Sequence, residues 1–214
     1  MDDDFDIRIL EEMMSQIRGL ANHRAISVTD IVHEAIGEYL YNRATGINFI
    51  DVIRGIENAF SGLEQFVTSA DPSGLALFIK SPIRYVHRPE LKYEVRTIQG
   101  GGDSVGILNV ILRSQSMETL RVFADFTGMW MELEQKYLAR GRQISHMADI
   151  GYYNRRIYRP EAAARVGEQQ IGEAIGNYIN VFDELLKHSF HRRLSGQELE
   201  RIYLARLKAG MLTI

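Results

Sequence analysis

The sequence contains no cysteine, which excludes disulfide cross-links, thiolate metal sites and thiol nucleophiles. It has no apolar run of about 18 residues, so it predicts no membrane-spanning helix. Its first ten residues, MDDDFDIRIL, lack the basic region and long apolar core of a secretory signal, and a cytoplasmic location is expected. Apolar residues make up 45% and charged residues 25% of the 214, so the composition itself is that of an ordinary globular protein.

The net charge of −3 is small, but the two ends of the chain differ in sign. Residues 1–45 hold four basic and nine acidic side chains, whereas residues 138–214 hold twelve basic and eight acidic ones. Nucleic acid attracts basic surfaces. On charge alone, the C-terminal part therefore suits a phosphate backbone better than the N-terminal part does.

The N-terminal pattern is that of one strand followed by two helices. FDIRIL, at residues 5–10, alternates apolar and polar side chains and predicts a half-buried strand. In ISVTDIVHEAIGEYLYNR, at residues 26–43, Ser27 or Thr29 can cap the second helix, and Gly46 is expected to follow its end. The apolar stripes are Met13, Met14, Ile17, Leu20 and Ala21 in the first helix, and Ile31, Ala35, Ile36, Tyr39 and Leu40 in the second.

This order of elements, within residues 4–43, resembles the ribbon-helix-helix family of Arc/MetJ-type repressors. The resemblance implies an intertwined homodimer, because one strand and two helices cannot enclose a core alone. In that family the paired strands lie in the major groove. It therefore implies that Asp4, Asp6 and Arg8 face the bases, and that Ser27 and Thr29 hold a phosphate at the start of the second helix.

The resemblance implies a homodimeric or higher-order DNA-binding protein, a transcriptional or plasmid-maintenance regulator such as a repressor, and an enzyme is not expected. In that arrangement the carboxylates of Asp4 and Asp6 would lie beside DNA phosphates of the same charge, which disfavours binding. The alternative is therefore a scaffold protein that keeps the dimer, does not bind DNA and meets a basic protein partner through its acidic ribbon. No cofactor, metal or membrane is expected in either case.

Beyond SADPSG, at residues 69–74, the apolar period changes from helical to alternating. Strands predicted at 75–81, 83–87, 91–98 and 104–114 indicate an antiparallel sheet, and Ser116 is expected to cap a long helix. Two further helices are predicted after Pro160, the last with a capping box at Ser195 and Glu198. The expected α+β organisation is a ribbon-helix-helix module at 1–46, a connecting helix (about 49–67) and linker at 47–72, an α+β domain at 73–140, and a helical part at 141–214.

Arginines are interleaved with tyrosines in DIGYYNRRIYRPE, at residues 149–161, which is predicted to be a connector. Such a composition suits a phosphate backbone or stacked bases. Arg155 and Arg156, with Arg192 and Arg193 further along, could therefore add DNA contacts. The alternative is a solvated surface, which is the usual role of a run of charges.

The remaining motifs favour structural roles. GGGDSVG, at 100–106, lies between two strands and predicts a hairpin turn rather than a phosphate loop. His188 and His191 share a helix face but lack a third metal ligand. The aromatic and methionine stripe around Trp130 indicates core, with a ligand pocket or subunit interface as alternatives. Neither carboxylate pair forms a convincing acid–base site: Glu90 with Glu94, or Glu132 with Glu134.

Overall fold

The computed structural model describes residues 11–45, 48–63, 66–71, 75–85, 88–97, 104–139, 144–158 and 167–212. These residues form an α+β fold with one six-stranded antiparallel sheet and six helices, which confirms the predicted α+β class with an antiparallel sheet but not the ribbon-helix-helix module. The helices are α1 (Glu11–Arg24), α2 (Val28–Thr45), α3 (Phe49–Phe60), α4 (Met117–Tyr137), α5 (Glu168–His191) and α6 (Gly196–Lys208). The strands are β1 (Val67–Ala70), β2 (Ala76–Pro82), β3 (Glu90–Arg96), β4 (Ser104–Arg113), β5 (His146–Asp149) and β6 (Tyr152–Tyr158), in the spatial order β1-β2-β3-β4-β6-β5.

The sheet buries one face against helices, because successive side chains on a strand point to opposite sides. In β4, Leu108, Val110 and Leu112 are buried, and in β6 the buried residues Tyr153 and Ile157 lie on the same side. The helices supply the other half of this core, where the Trp130 ring lies 5.2 Å from that of Phe182 on α5. The aromatic stripe of α4 is therefore core.

Helices α3 and α5 cross almost backbone to backbone. A Cβ added at Gly172 would lie 2.0 Å from the carbonyl oxygen of Val52, and one at Gly55 would lie 2.1 Å from the carbonyl oxygen of Gln169. Only glycine permits this approach. Gly55 therefore costs helix propensity but makes room for the partner helix.

Several predicted helix boundaries are confirmed, but the predicted end of the connecting helix and one predicted strand are wrong. The Ser116 hydroxyl accepts from the backbone N–H of Thr119 and caps α4, and Ser195 forms the capping box of α6. The connecting helix predicted to reach about residue 67 ends at Phe60. Residues 83–85, within the strand predicted at 83–87, are not in a strand.

The predicted connector at 149–161 is also wrong, because residues 152–158 form β6, which pairs antiparallel with β4. The sheet consequently continues across the expected division at residue 140. Pairing with a central strand gives the backbone its hydrogen bonds, which the local composition did not reveal. The strand predicted at 5–10, Gly46, the glycines at 100–102 and Pro160 lie outside the described residues.

Within the described part of the chain, no helix is both long and apolar enough to cross a membrane.

Candidate functional site

The turn between α1 and α2 ends the first helix with two paired hydrogen bonds. The N–H of Ala25 donates to the carbonyl of Asn22, and the N–H of Ile26 donates to that of Ala21. Ala25 has a φ of 53°, the left-handed conformation that this Schellman arrangement requires. The turn fixes α2 against α1, and the ion pair between Arg24 and Glu34, at 2.7 Å, joins the same two helices.

Ser27 and Asp30 cap each other at the start of α2. The Ser27 hydroxyl oxygen accepts from the N–H of Asp30 at 3.1 Å, and the Asp30 carboxylate accepts from the N–H of Ser27 at 3.1 Å and from its hydroxyl at 2.7 Å. The side-chain hydrogen bond from Ser27 lowers the pKa of Asp30. This helix end therefore carries a negative charge of its own beside the exposed Thr29.

The helix pair leaves much of its apolar surface uncovered. Ala21 and Ile31 are buried. The larger side chains expected in the core of this unit are not: Met13 is 54% exposed, and Tyr39 is 59% exposed. Leu20 and Ile36 are exposed as well. A single copy of this unit consequently does not close a core around its largest apolar residues.

The four arginines predicted to contact a DNA backbone lie in different surroundings. Arg156 is exposed, Arg192 forms an ion pair with Glu198, and Arg193 lies 4.0 Å from Glu118. Arg155 is completely buried, which corrects the prediction that it could reach a phosphate. Adjacent residues of a strand point to opposite faces, so Arg155 and Arg156 cannot both face solvent. Asp4, Asp6 and Arg8 lie outside the described residues.

Arg155 instead belongs to a cluster around the fully buried carboxylate of Glu134 on α4. Its Nε lies 2.9 Å from Glu134 Oε1, and the Tyr178 hydroxyl donates to the same oxygen at 3.0 Å. The other carboxylate oxygen accepts from the Tyr153 hydroxyl at 3.0 Å and lies 2.6 Å from His146 Nε2. Three separate elements, β6, α5 and β5, thus supply the partners of one helix side chain.

The charges in this cluster compensate one another. Burial alone would raise the pKa of Glu134, but the Arg155 guanidinium, helped by His146, holds that pKa below its ordinary value. Burial raises the pKa values of Tyr153 and Tyr178 well above that of a free phenol, so both hydroxyls stay protonated and act as donors. The cluster is therefore built around a buried ion pair between Glu134 and Arg155.

His146 connects this buried cluster to the surface. It lines a cleft of about 470 Å³ together with Gln135, Ile144 and Ser145, while its Nε2 faces Glu134. A buried carboxylate can fix the orientation of an imidazole in this way. Glu132 of the same helix also lines the cleft but is exposed, so the pair Glu132 and Glu134 does not act as two neighbouring carboxylates.

Nothing in the described residues completes a metal site around that imidazole. Within them, no group of three or more histidines and carboxylates is placed to hold a metal ion. The backbone N–H of Ser145 donates to the Tyr158 hydroxyl, which ties the start of β5 to β6. The arrangement holds His146 in place and leaves one cleft beside it.

Sequence reasoning missed Glu134 as a structural centre, although two signals pointed to it. Glu134 lies four residues after Trp130, within the helical apolar stripe that contains Leu133. Tyr153, Arg155 and Ile157 alternate along one strand face. An acid and a base each at an inward position of its own element would have predicted a buried pair.

Comparisons with protein-family models, with curated proteins and with solved structures give no match to this chain.

Proposed function

We propose that the chain is a homodimeric DNA-binding regulator that dimerises through α1 and α2. The observation that carries this proposal is the exposed apolar surface of the helix pair, formed by Met13, Leu20, Ile36 and Tyr39. In a ribbon-helix-helix unit the second copy covers such residues, since the core is shared between two chains. The bounds of α1 and α2 and the short turn between them support the same arrangement.

In this proposal, the two copies pair residues 5–10 into a ribbon that enters the major groove. Asp4, Asp6 and Arg8 then face base edges, where the Arg8 guanidinium can contact guanine and a carboxylate can accept from cytosine. Phosphate contacts come from Arg156, Arg192 and Arg193, but not from the buried Arg155. Such a protein would act as a repressor in transcription or in plasmid maintenance.

Dimerisation is tested by sedimentation equilibrium of the wild type and of Leu20→Glu. The wild type is expected to be a dimer, and the variant a monomer, because a carboxylate would have to be buried in the shared core. Gln16→Glu is the control, since it adds the same charge to α1 at an exposed polar position. A monomeric wild type, or a dimer unaffected by Leu20→Glu, would contradict the proposed interface.

DNA binding is tested by fluorescence anisotropy with fragments from around the protein's own gene, titrated with salt, and with random DNA for comparison. Selective binding with a shallow salt slope is expected, because few basic groups contact phosphates. Arg8→Ala should nearly abolish this selectivity, whereas Arg121→Ala, at an exposed position on α4, should leave it unchanged. Absence of selective binding at low salt would rule out a repressor.

The second candidate function is a scaffold that dimerises in the same way and binds a basic protein. The Ser27–Asp30 cap favours it, because a carboxylate already occupies the helix end that would otherwise attract a phosphate. The two candidates differ in one result. A dimer that loses its apolar interface in Leu20→Glu but never binds DNA selectively is the scaffold.

A further inference from the structure

A groove of about 800 Å³ lies at one end of the sheet, between β2, the start of β3 and the end of α5. Its walls include apolar side chains from three segments, among them Ile83, Tyr85 and Leu91. Tyr85 is held by ring contacts with Phe190, stacked at 5.7 Å, and with His191, edge-on at 5.7 Å. The groove therefore has a formed apolar wall of a size that small-molecule pockets commonly have.

Three cationic side chains, Lys80, Arg84 and Arg88, line the same groove. All three are exposed, and none forms an ion pair with another described residue. The single acidic residue of the lining, Glu90, is paired with Lys92 at 3.1 Å. The carboxyl end of α5 adds a partial negative charge near His191, but this is only about half a charge against three.

Ser81 supplies a further, independent observation. This residue lines the groove, is only 3% exposed, and its hydroxyl oxygen has no hydrogen-bond partner among the described residues. Buried hydroxyl groups nearly always have a partner, since burying one alone is unfavourable. A ligand oxygen at this wall would satisfy it.

We propose that the groove binds a small organic anion with an apolar body. The apolar body lies along Ile83, Tyr85 and Leu91, and the anionic head group is held by Arg84 and Arg88. Guanidinium groups bind carboxylate and phosphate head groups through paired N–H donors, so both head groups share the required chemistry. Ser81 donates its hydroxyl to a ligand oxygen, whereas Lys80, which points to the opposite face of β2, adds only positive charge nearby.

The proposal is independent of the proposed DNA-binding function, because every residue it uses belongs to the sheet, to the connection between β2 and β3, or to α5. It gives the α+β part of the chain a ligand, whether or not the N-terminal helices contact DNA. Failure of DNA binding would leave this site untouched. Failure of anion binding would likewise leave the dimer and its DNA contacts to be judged by their own experiments.

The test is calorimetric titration of the full chain with octanoate, octyl phosphate and octanol. The three probes share one apolar chain, and only the first two carry an anionic head. At least one anion is expected to bind about tenfold or more tightly than octanol, since head-group contacts are charge-assisted hydrogen bonds. Comparison of octanoate with octyl phosphate identifies the preferred head group.

Variants locate the binding. Arg84→Gln combined with Arg88→Gln should weaken anion binding about tenfold or more and leave octanol unchanged. Ser81→Ala should weaken it by a smaller factor. Arg121→Gln, an exposed arginine on α4 outside the groove, is the control and should bind as the wild type does. Fluorescence of Trp130 verifies that each variant is folded, because this single tryptophan is buried in the core.

Three results would overturn the proposal. One is the absence of binding by either anion at millimolar concentration. Another is equal affinity for octanol and for the anions, which would make the groove merely apolar. The last is unchanged anion binding by the folded Arg84→Gln and Arg88→Gln double variant, which would place the anion elsewhere on the protein.

Discussion

The two ends of this chain solve the problem of burying apolar surface in different ways. From α3 onward, the described chain closes its own core, and residues such as Trp130, Phe182 and Tyr203 have no solvent exposure. The α1–α2 pair leaves Met13, Leu20 and their neighbours exposed. The part from α3 onward buries its core as a complete domain does. The helix pair leaves exposed the large apolar side chains that a complete domain would bury.

The two parts also handle charge differently. The core of the sheet and helices encloses Glu134 with Arg155, a pair that is costly to bury unless every polar atom finds a partner. In the helix pair, Glu34 is buried but is paired with Arg24, whose side chain is partly exposed, and the cap of Ser27 and Asp30 is exposed. Buried ions fix one arrangement of the elements around them, and exposed ions do so only weakly. We therefore expect disruption of charge to affect the first part far more than the second.

The largest effect is expected from Glu134→Gln, which keeps the shape of the side chain but removes its charge. Arg155 would then be a buried cation without its counter-charge, which should lower the free energy of unfolding by about 3–5 kcal/mol. Urea unfolding followed by the fluorescence of Trp130 measures this change, since that indole N–H donates to Tyr178 in the same cluster. Glu132→Gln, exposed on the same helix, should change the stability by less than about 0.5 kcal/mol. Equal midpoints for the two variants would show that the cluster is not the centre of stability.

The next effect is expected from Gly172→Ala, where an added Cβ would lie 2.0 Å from the carbonyl oxygen of Val52. Helices α3 and α5 would have to separate, at a cost of about 2–3 kcal/mol. Gly128→Ala, on α4, is the matched control, because an added Cβ there meets nothing within 4 Å. That change should stabilise the protein by up to about 1 kcal/mol through helix propensity. If Gly172→Ala and Gly128→Ala changed the free energy of unfolding in the same direction, the close crossing of α3 and α5 would be contradicted.

A smaller effect concerns pH. The pKa of Glu134 is lowered in the folded protein, so its contribution to stability is present above the unfolded value near 4.5 and is lost as pH falls through the folded value. The stability difference between the wild type and Glu134→Gln should therefore shrink below about pH 4.5. Urea midpoints at about pH 7, 5, 4 and 3 measure it. A difference that stays constant down to pH 3 would mean that the pKa of Glu134 is the same in the folded and unfolded protein, which would contradict a lowered pKa.

Local signals predicted much of the fold. Hydroxyl caps located the start of α4 and the capping box of α6, and alternation located β2, β3 and β4. These features depend on residues close together in sequence, where the physical cause and its effect are both visible. The α+β class followed from them.

Features that depend on distant residues were not predictable in the same way. Strand β6 was missed because the two adjacent arginines of Tyr152–Tyr158 suggested a solvated surface, and pairing with β4 outweighs that local composition; the alternation of Tyr153, Arg155 and Ile157 was its one local signal. The glycines of α3 and α5 look like weak helix positions until the two helices are brought together. The basic groove takes most of its lining from residues 80–91, but its aromatic wall forms only where Tyr85 packs against Phe190 and His191 of α5.

The smallest effect compares the same local device in the two parts of the chain. Ser195 caps α6, which is packed into the core through Leu199 and Tyr203, so Ser195→Ala should lower the stability reported by Trp130 by about 1 kcal/mol. Ser27 caps α2 through a similar pair of hydrogen bonds. Ser27→Ala should therefore weaken α2 by a similar amount.

In Ser27→Ala, however, the urea midpoint followed by Trp130 fluorescence should stay unchanged. The indole reports unfolding of the core, and α2 lies outside that core. Hydrogen exchange of the α2 amides should accelerate instead, as expected when a helix opens without global unfolding. If both substitutions moved the Trp130 midpoint equally, the helix pair and the sheet would unfold as one cooperative unit. The exposed surface of α1 and α2 would then belong to a domain that is stable by itself, and the argument for a shared dimer core would lose its physical basis.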